Sequence, residues 1–266
     1  DNSAGVGATP TAGSVKIDGS NLGSALAGSI AATRISANTT SGFSTVLFTN
    51  NNTAGATVAH GLSSTPEMII TKLKDNAYSW YTYHVGTDAT APEDYSLSLN
   101  NDSARSDNVE YWNDTAPSSS VFTLGDEGSN ALGSVDVIAY CFHSIEGYSK
   151  MGSYIGNGNT NGPFIYTGFR PAYIMMKAAP SWTGGHWHLF DTKRYTYNET
   201  TNTTTTGLTA DNATNDGGGG GEGAGPIDIL SNGFKPRNNN GNDNPNGDIM
   251  IYLAFAESPF KYSNAR

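Results

Sequence analysis

The feature that most constrains this chain is that it repeats itself. AHGLSSTPEMIITK at residues 59–72 returns as YTGFRPAYIMMK at residues 166–177. Each copy has a Gly-hydrophobic pair, a proline (Pro66 or Pro171), and an apolar run closed by lysine (Lys72 or Lys177). The prolines stand 105 residues apart, and so do the lysines. Gly42-Phe43-Ser44 matches Gly147-Tyr148-Ser149 at the same offset, and Ser79-Trp80-Tyr81 answers His186-Trp187-His188 after a two-residue insertion. Each copy ends on a β-rich run, DVIAYCF (136–142) or DIMIYLAF (248–255), leading to Glu146 or Glu257. A repeat of this length predicts two copies of one domain, with Pro66 on Pro171 and Lys72 on Lys177, and excludes a short-period solenoid.

The periodicity within a copy is that of β-structure. STVLFT (44–49), MIITK (68–72), WYTYH (80–84), YSLSL (95–99), VEYW (109–112), SVFTL (120–124) and VIAYCF (137–142) recur at roughly ten-residue spacing between Asn- and Gly-rich turns. The expectation is an all-β fold: two tandem, internally duplicated antiparallel β-sandwich or jelly-roll-like units, residues 42–146 and 147–266, with no helix in the first. Residues 1–41 are Gly, Ala, Ser and Thr with short apolar islands at Val15-Lys16-Ile17 and Leu26-Ala27. That segment reads either as a linker or as an extended arm ordering against a neighbouring subunit, and the second option motivates a homotrimer. Residues 197–226 are low-complexity and poor in apolar side chains, which predicts a long surface loop in the second copy.

Charge and composition narrow the function. The net charge of −10 disfavours nucleic acid and anionic lipid as partners, and no run approaches the length of a membrane span. Cys141, the only cysteine, lies in an apolar strand and reads as a buried inert thiol. His186 and His188 share one strand face at a spacing that can bind zinc, against surface histidines flanking a core Trp187. Asn242, Asn244, Asn246 and Asp248 alternate oxygen side chains around Gly247 like half a calcium loop, but Leu253 stands where the loop needs its bidentate glutamate; a turn explains the pattern equally. The glycines at 217–221 lack the Lys-Ser/Thr of a phosphate loop. Glu110, Asp191 and Glu222 show no pairing that marks a glycosidase. No cofactor and no enzymatic activity is expected.

The aromatic residues are more informative. Trp80 and Trp187 occupy matched strands and are expected in the core. Trp112, Trp182, Tyr195 and Tyr197 flank loops, beside the Asn and hydroxyl side chains that a sugar-binding surface needs, and are the candidate glycan or receptor contacts.

The segments GFSTVLFTNNNTAGATVAHGLSSTPEMIITK, YWNDTAPSSSVFTLG, VIAYCFHSIEGYSKMGSYIGNGNTNGPFIYTGFRPAYIMMK and IYLAFAESPFK together resemble an uncharacterised repeat domain of tail-fibre-like virion structural proteins from marine tailed phages, including cyanophages. KIDGSNLGSALAGSIAATRISANTTSGF resembles the lead-in to it, so the resemblance runs from about Val15 to Tyr262. It implies a location on the virion surface, contacts with other virion proteins and with host glycan or protein, and no particular reaction. A lattice or decoration protein and a polysaccharide-degrading tailspike are the alternatives; the latter requires two carboxylates converging in one groove.

Overall fold

The structure is a computed structural model and describes residues 14–22, 26–126, 134–180, 185–194, 198, 207–211 and 225–259. It is nearly all β, and the chain divides into two compact units. The first comprises residues 1–98 and 106–143, the second residues 99–105 and 144–266.

The first unit contains β1 (Val15–Ile17), β2 (Ser20–Asn21), β3 (Ala32–Asn38), β4 (Phe43–Thr49), β5 (Ala56–Ala59), β6 (Met68–Leu73), β7 (Tyr81–His84), β8 (Tyr95–Ser98), β9 (Ser106–Asp107), β10 (Val121–Leu124) and β11 (Asp136–Phe142). Its large sheet has the order β2-β1-β3-β4-β11-β6-β7-β8-β9, and β10 pairs with β5 in a small second sheet. Alternation puts Val46 and Phe48 of β4, Ile69 and Leu73 of β6, and Val137, Ala139 and Cys141 of β11 on one face, where they pack with Val58, Phe122 and Leu124 of the small sheet. The result is sandwich-like, with the core between two sheets.

Two expectations fail here. The segment before Gly42 is not a bare linker: β1 and β3 belong to the large sheet, β3 pairs antiparallel with β4, and Val15, Ile30 and Ile35 join the core. Of its apolar islands Val15 is buried in that core, and Ile17 and Leu26 pack partly buried against it. VEYW is also not a strand but a single helical turn, α1 (Val109–Trp112). Asn108 caps it by accepting from the Glu110 N–H, and Asn113 ends it in the left-handed region at φ 55°.

The second unit contains β12 (Ser149–Ile155), β13 (Ile165–Tyr166), β14 (Pro171–Ala178), β15 (His188–Asp191), β16 (Leu208–Thr209), β17 (Ile227–Leu230), β18 (Gly233–Pro236) and β19 (Ile249–Ala256). The sheets run β12-β19-β14-β15-β16 and β13-β18-β17. Thus β4-β11-β6-β7 in one unit and β12-β19-β14-β15 in the other have the same order. Cross-strand register agrees as well: Ile69 faces Cys141 and Leu73 faces Val137, as Ile174 faces Ala254 and Ala178 faces Met250. The agreement slips by one residue at the outer strand. Phe43 faces Phe142 whereas Ser149 faces Phe255, so Gly42-Phe43-Ser44 lies opposite the partners of Tyr148-Ser149-Lys150, not of Gly147-Tyr148-Ser149.

The closing lysines have a common task. Lys72 Nζ donates to the carbonyls of Asn76 (2.5 Å) and Tyr78 (2.8 Å), and Lys177 Nζ donates to the carbonyl of Gly185. Each ties down the loop leaving the middle strand. Burial pushes the Lys177 ammonium down to about 8, opposed by the carboxylates of Asp211 and Asp102.

Candidate functional site

A concave site with an exposed aromatic ring and charged side chains lies in the second unit. It begins at β13, where Ile165 turns into the core and its neighbours Phe164 and Tyr166 therefore point out. Tyr166 is 64% exposed, the most exposed of the large apolar and aromatic side chains described. The chain then turns through Gly168 at φ +88°, a conformation that favours glycine. Asn232 O holds that turn by accepting the N–H groups of Thr167 and Gly168, and Thr167 Oγ1 donates to Phe169 O at 2.6 Å.

Arg170 leaves this turn and is fixed twice. Its Nε meets Glu257 Oε2 at 2.8 Å, and its Nη1 donates to Ile229 O at 3.1 Å. The Glu257 N–H in turn donates to Arg170 O. Glu146 and Gly147 come from the tight turn into β12, Ser231 from the turn between β17 and β18, and Ser258 from the segment after β19. Together these residues line a cleft of about 530 Å³, within the size range of small-ligand sites. It offers one exposed ring, two carboxylates, a held guanidinium and two hydroxyls. That set suits a polyhydroxylated ligand, whose C–H face stacks on the ring while its hydroxyls bond to charged and hydroxyl groups.

The residues singled out from sequence fall elsewhere. Trp112 is 2% exposed: the α1 turn directs it into the first unit's core, edge-on to Tyr83 at 6.0 Å, and it offers no surface to a ligand. Trp182, Tyr195 and Tyr197 lie outside the described residues, as do Glu222, the glycines at 217–221 and most of the 197–226 segment. Trp187 is buried as expected, but its match Trp80 is 36% exposed, stacked on Tyr140 at 6.4 Å. Glu110 accepts a hydrogen bond from Asn108, and Asp191 is ion-paired with Arg194 at 2.6 Å.

His186 and His188 are not surface residues. Their rings lie on one side, 6.4 Å apart, and each meets a different buried carboxylate: His186 Nδ1 and Asp211 Oδ2 at 3.1 Å, His188 Nδ1 and Asp243 Oδ1 at 2.5 Å. Among the described residues no group of three or more His, Cys, Asp or Glu is placed to hold a metal ion. Within the half calcium loop, Asn244 acts as a structural clasp. Asn244 donates its amide to Asn157 Oδ1, Asn159 O and Asn238 O, and its Oδ1 accepts from the Asn157 N–H, so the side chain is saturated by protein partners. Asn242 is buried, Asn246 is exposed against Gly158, and the Asp248 carbonyl accepts from Gly156. The hub is Asp243, whose Oδ2 accepts from the Gly225 N–H and from the amides of Asn238 and Asn240.

Sequence reasoning passed over Phe164, Tyr166 and Arg170. The available signal was the aromatic-aliphatic-aromatic alternation of Phe164-Ile165-Tyr166, which on a strand turns both rings to one face.

A family model for a domain of unknown function (DUF7483) matches residues 15–259. The chain belongs to this family. The match spans both units and every residue lining the cleft. No curated protein and no solved structure matches the chain. Among the described residues no helix is long and apolar enough to cross a membrane.

Proposed function

We propose that this chain is the adhesive part of an exposed virion structural protein, made of two copies of one jelly-roll-like sandwich, and that the second copy binds a host-surface glycan in the cleft around Tyr166. The observation that carries the glycan reading is the juxtaposition of Tyr166, the most exposed aromatic ring among the described residues, with Arg170, Glu146, Glu257, Ser231 and Ser258. The tail-fibre context rests on the sequence resemblance. The common strand order and register of the two units support descent from one duplicated domain.

A second reading, hydrolysis of that glycan, is favoured by one observation: two glutamates line the same cleft. Binding without cleavage is preferred, because Glu257 is ion-paired with Arg170, which suits a fixed hydroxyl acceptor better than a proton donor. Binding of the full chain to host-surface polysaccharide tests both readings. Tyr166→Ala should weaken retention about three- to tenfold, the range expected for one lost ring contact, without altering the fold of so exposed a residue. Undiminished binding by Tyr166→Ala and Arg170→Ala would refute the cleft as the site. Release of reducing ends, abolished by Glu146→Gln, would establish hydrolysis.

A further inference from the structure

The two units treat the same sheet edge differently. In the first, β4 is covered by β3, an antiparallel strand supplied by the segment ahead of the repeat. In the second, the corresponding strand β12 ends its sheet among the described residues, and only six residues separate it from β11, too few to supply a covering strand. An open edge presents a row of unpaired N–H and C=O groups that templates another strand.

Half of this edge is guarded. Ser149 exchanges backbone hydrogen bonds with Ile145, and the Met151 N–H donates to Ser144 Oγ at 3.0 Å. Both groups face away from β19, so by the period of two Ser153 and Ile155 face away from it as well. Among the described residues nothing pairs with their outward backbone groups. Both are exposed, and Ile155 is an aliphatic side chain 56% open to solvent.

We infer that the Ser153–Ile155 edge of β12 pairs antiparallel with the same edge of a second copy of this chain, joining the two five-stranded sheets across a two-fold axis. Ser153 of one copy then stands opposite Ile155 of the other, and each such pair exchanges two backbone hydrogen bonds. The second copy is favoured over a foreign strand because the segment from Met151 to Ile155 carries no charge, so it meets its twin without local repulsion despite the chain's net charge of −10. An exchanged β3 is disfavoured as the occupant: a four-residue connection, residues 39–42, tethers it to its own β4.

Sedimentation equilibrium of the full chain tests this. The wild type should dimerise with rising concentration, more strongly at higher salt as the like net charges are screened. Ile155→Lys places like charges across the edge, and Ser153→Pro removes an N–H that takes no part in the β12–β19 ladder. Each should remain monomeric over the same range with an unchanged unfolding midpoint. The Ser153→Cys/Ile155→Cys double variant should form interchain disulfides under mild oxidation. A wild type that is monomeric throughout, a dimer that survives both edge variants, or a β12 edge that captures only a different virion protein would each overturn the inference.

Discussion

Asp243 should be the most sensitive single polar position in the second unit. Its carboxylate is fully buried and accepts from four donors: His188 Nδ1 at 2.5 Å, the Gly225 N–H at 2.5 Å, Asn240 Nδ2 at 3.3 Å and Asn238 Nδ2 at 3.4 Å. Asp243→Asn keeps the shape but turns an NH2 group toward donors on one side. The least damaging orientation aims that NH2 at His188, whose ring can switch tautomer and accept, leaving the charge-assisted contacts weakened. Breaking a buried charged network by altering one partner costs about 3 to 5 kcal/mol, and each donor left unsatisfied adds about 1 to 3. We therefore expect about 3 kcal/mol for Asp243→Asn and more for Asp243→Ala, which also leaves a cavity. Urea unfolding followed by tryptophan fluorescence measures this as a lower midpoint at constant m-value. A double-mutant cycle with His188→Leu should show coupling of at least about 1 kcal/mol. A shift below about 1 kcal/mol for Asp243→Asn, or strict additivity in the cycle, would refute the hub.

Three further outcomes are expected. Trp187→Ala should destabilise by about 3 to 5 kcal/mol, whereas Trp80→Ala, at the matched but half-exposed position, should cost about 1 kcal/mol or less; equal costs in denaturant melts would contradict the burial assignment. His60 accepts from the Leu62 N–H at its Nδ1 and donates from Nε2 to Ser118 O, and burial, reinforced by nearby His143, pushes its imidazole down to about 4. The unfolded chain therefore binds the extra proton first: stability is unaffected above about pH 6.5 and falls by up to about 3 kcal/mol as the pH drops to about 4, a limb that His60→Gln should flatten in pH-dependent unfolding. Removal of residues 1–41 should yield an aggregating first unit, because it takes Val15, Ile30 and Ile35 from the core and uncovers β4; a soluble chain with an unchanged midpoint would argue against this.

Much of the fold was legible because local pattern and tertiary role agree in the middle and closing strands. Met68–Lys72 and Tyr173–Lys177 are apolar runs flanked by turns, and they lie inside their sheets with neighbours on both sides. The arm was not legible because the burial of Val15 and Ile35 arises only when β3 docks on β4, a pairing that leaves no local periodicity among glycines and serines. VEYW misled because β-propensity outweighed the helix signals of Asn108 and Asn113 on either side. The polar hub escaped for a related reason. The oxygen side chains around Asp243 read as a cation loop until His188, 55 residues away in sequence, is seen to hydrogen-bond the Asp243 carboxylate.

The one-residue slip at β12 changes which side chains meet across the outer strand pair in the two units. Register places Gly152 opposite Tyr252 in the second unit where Val46 is opposite Ala139 in the first. A Cβ at Gly152 would come within 2.7 Å of the Tyr252 hydroxyl, so the large ring fits beside a residue with no side chain, while the first unit has a valine beside an alanine at the same place. Gly152→Val should therefore clash with Tyr252 and lower the unfolding midpoint in urea melts. A ring at position 252 thus requires glycine across from it, which makes the cross-strand pair, not the single residue, the unit that can be changed at this place.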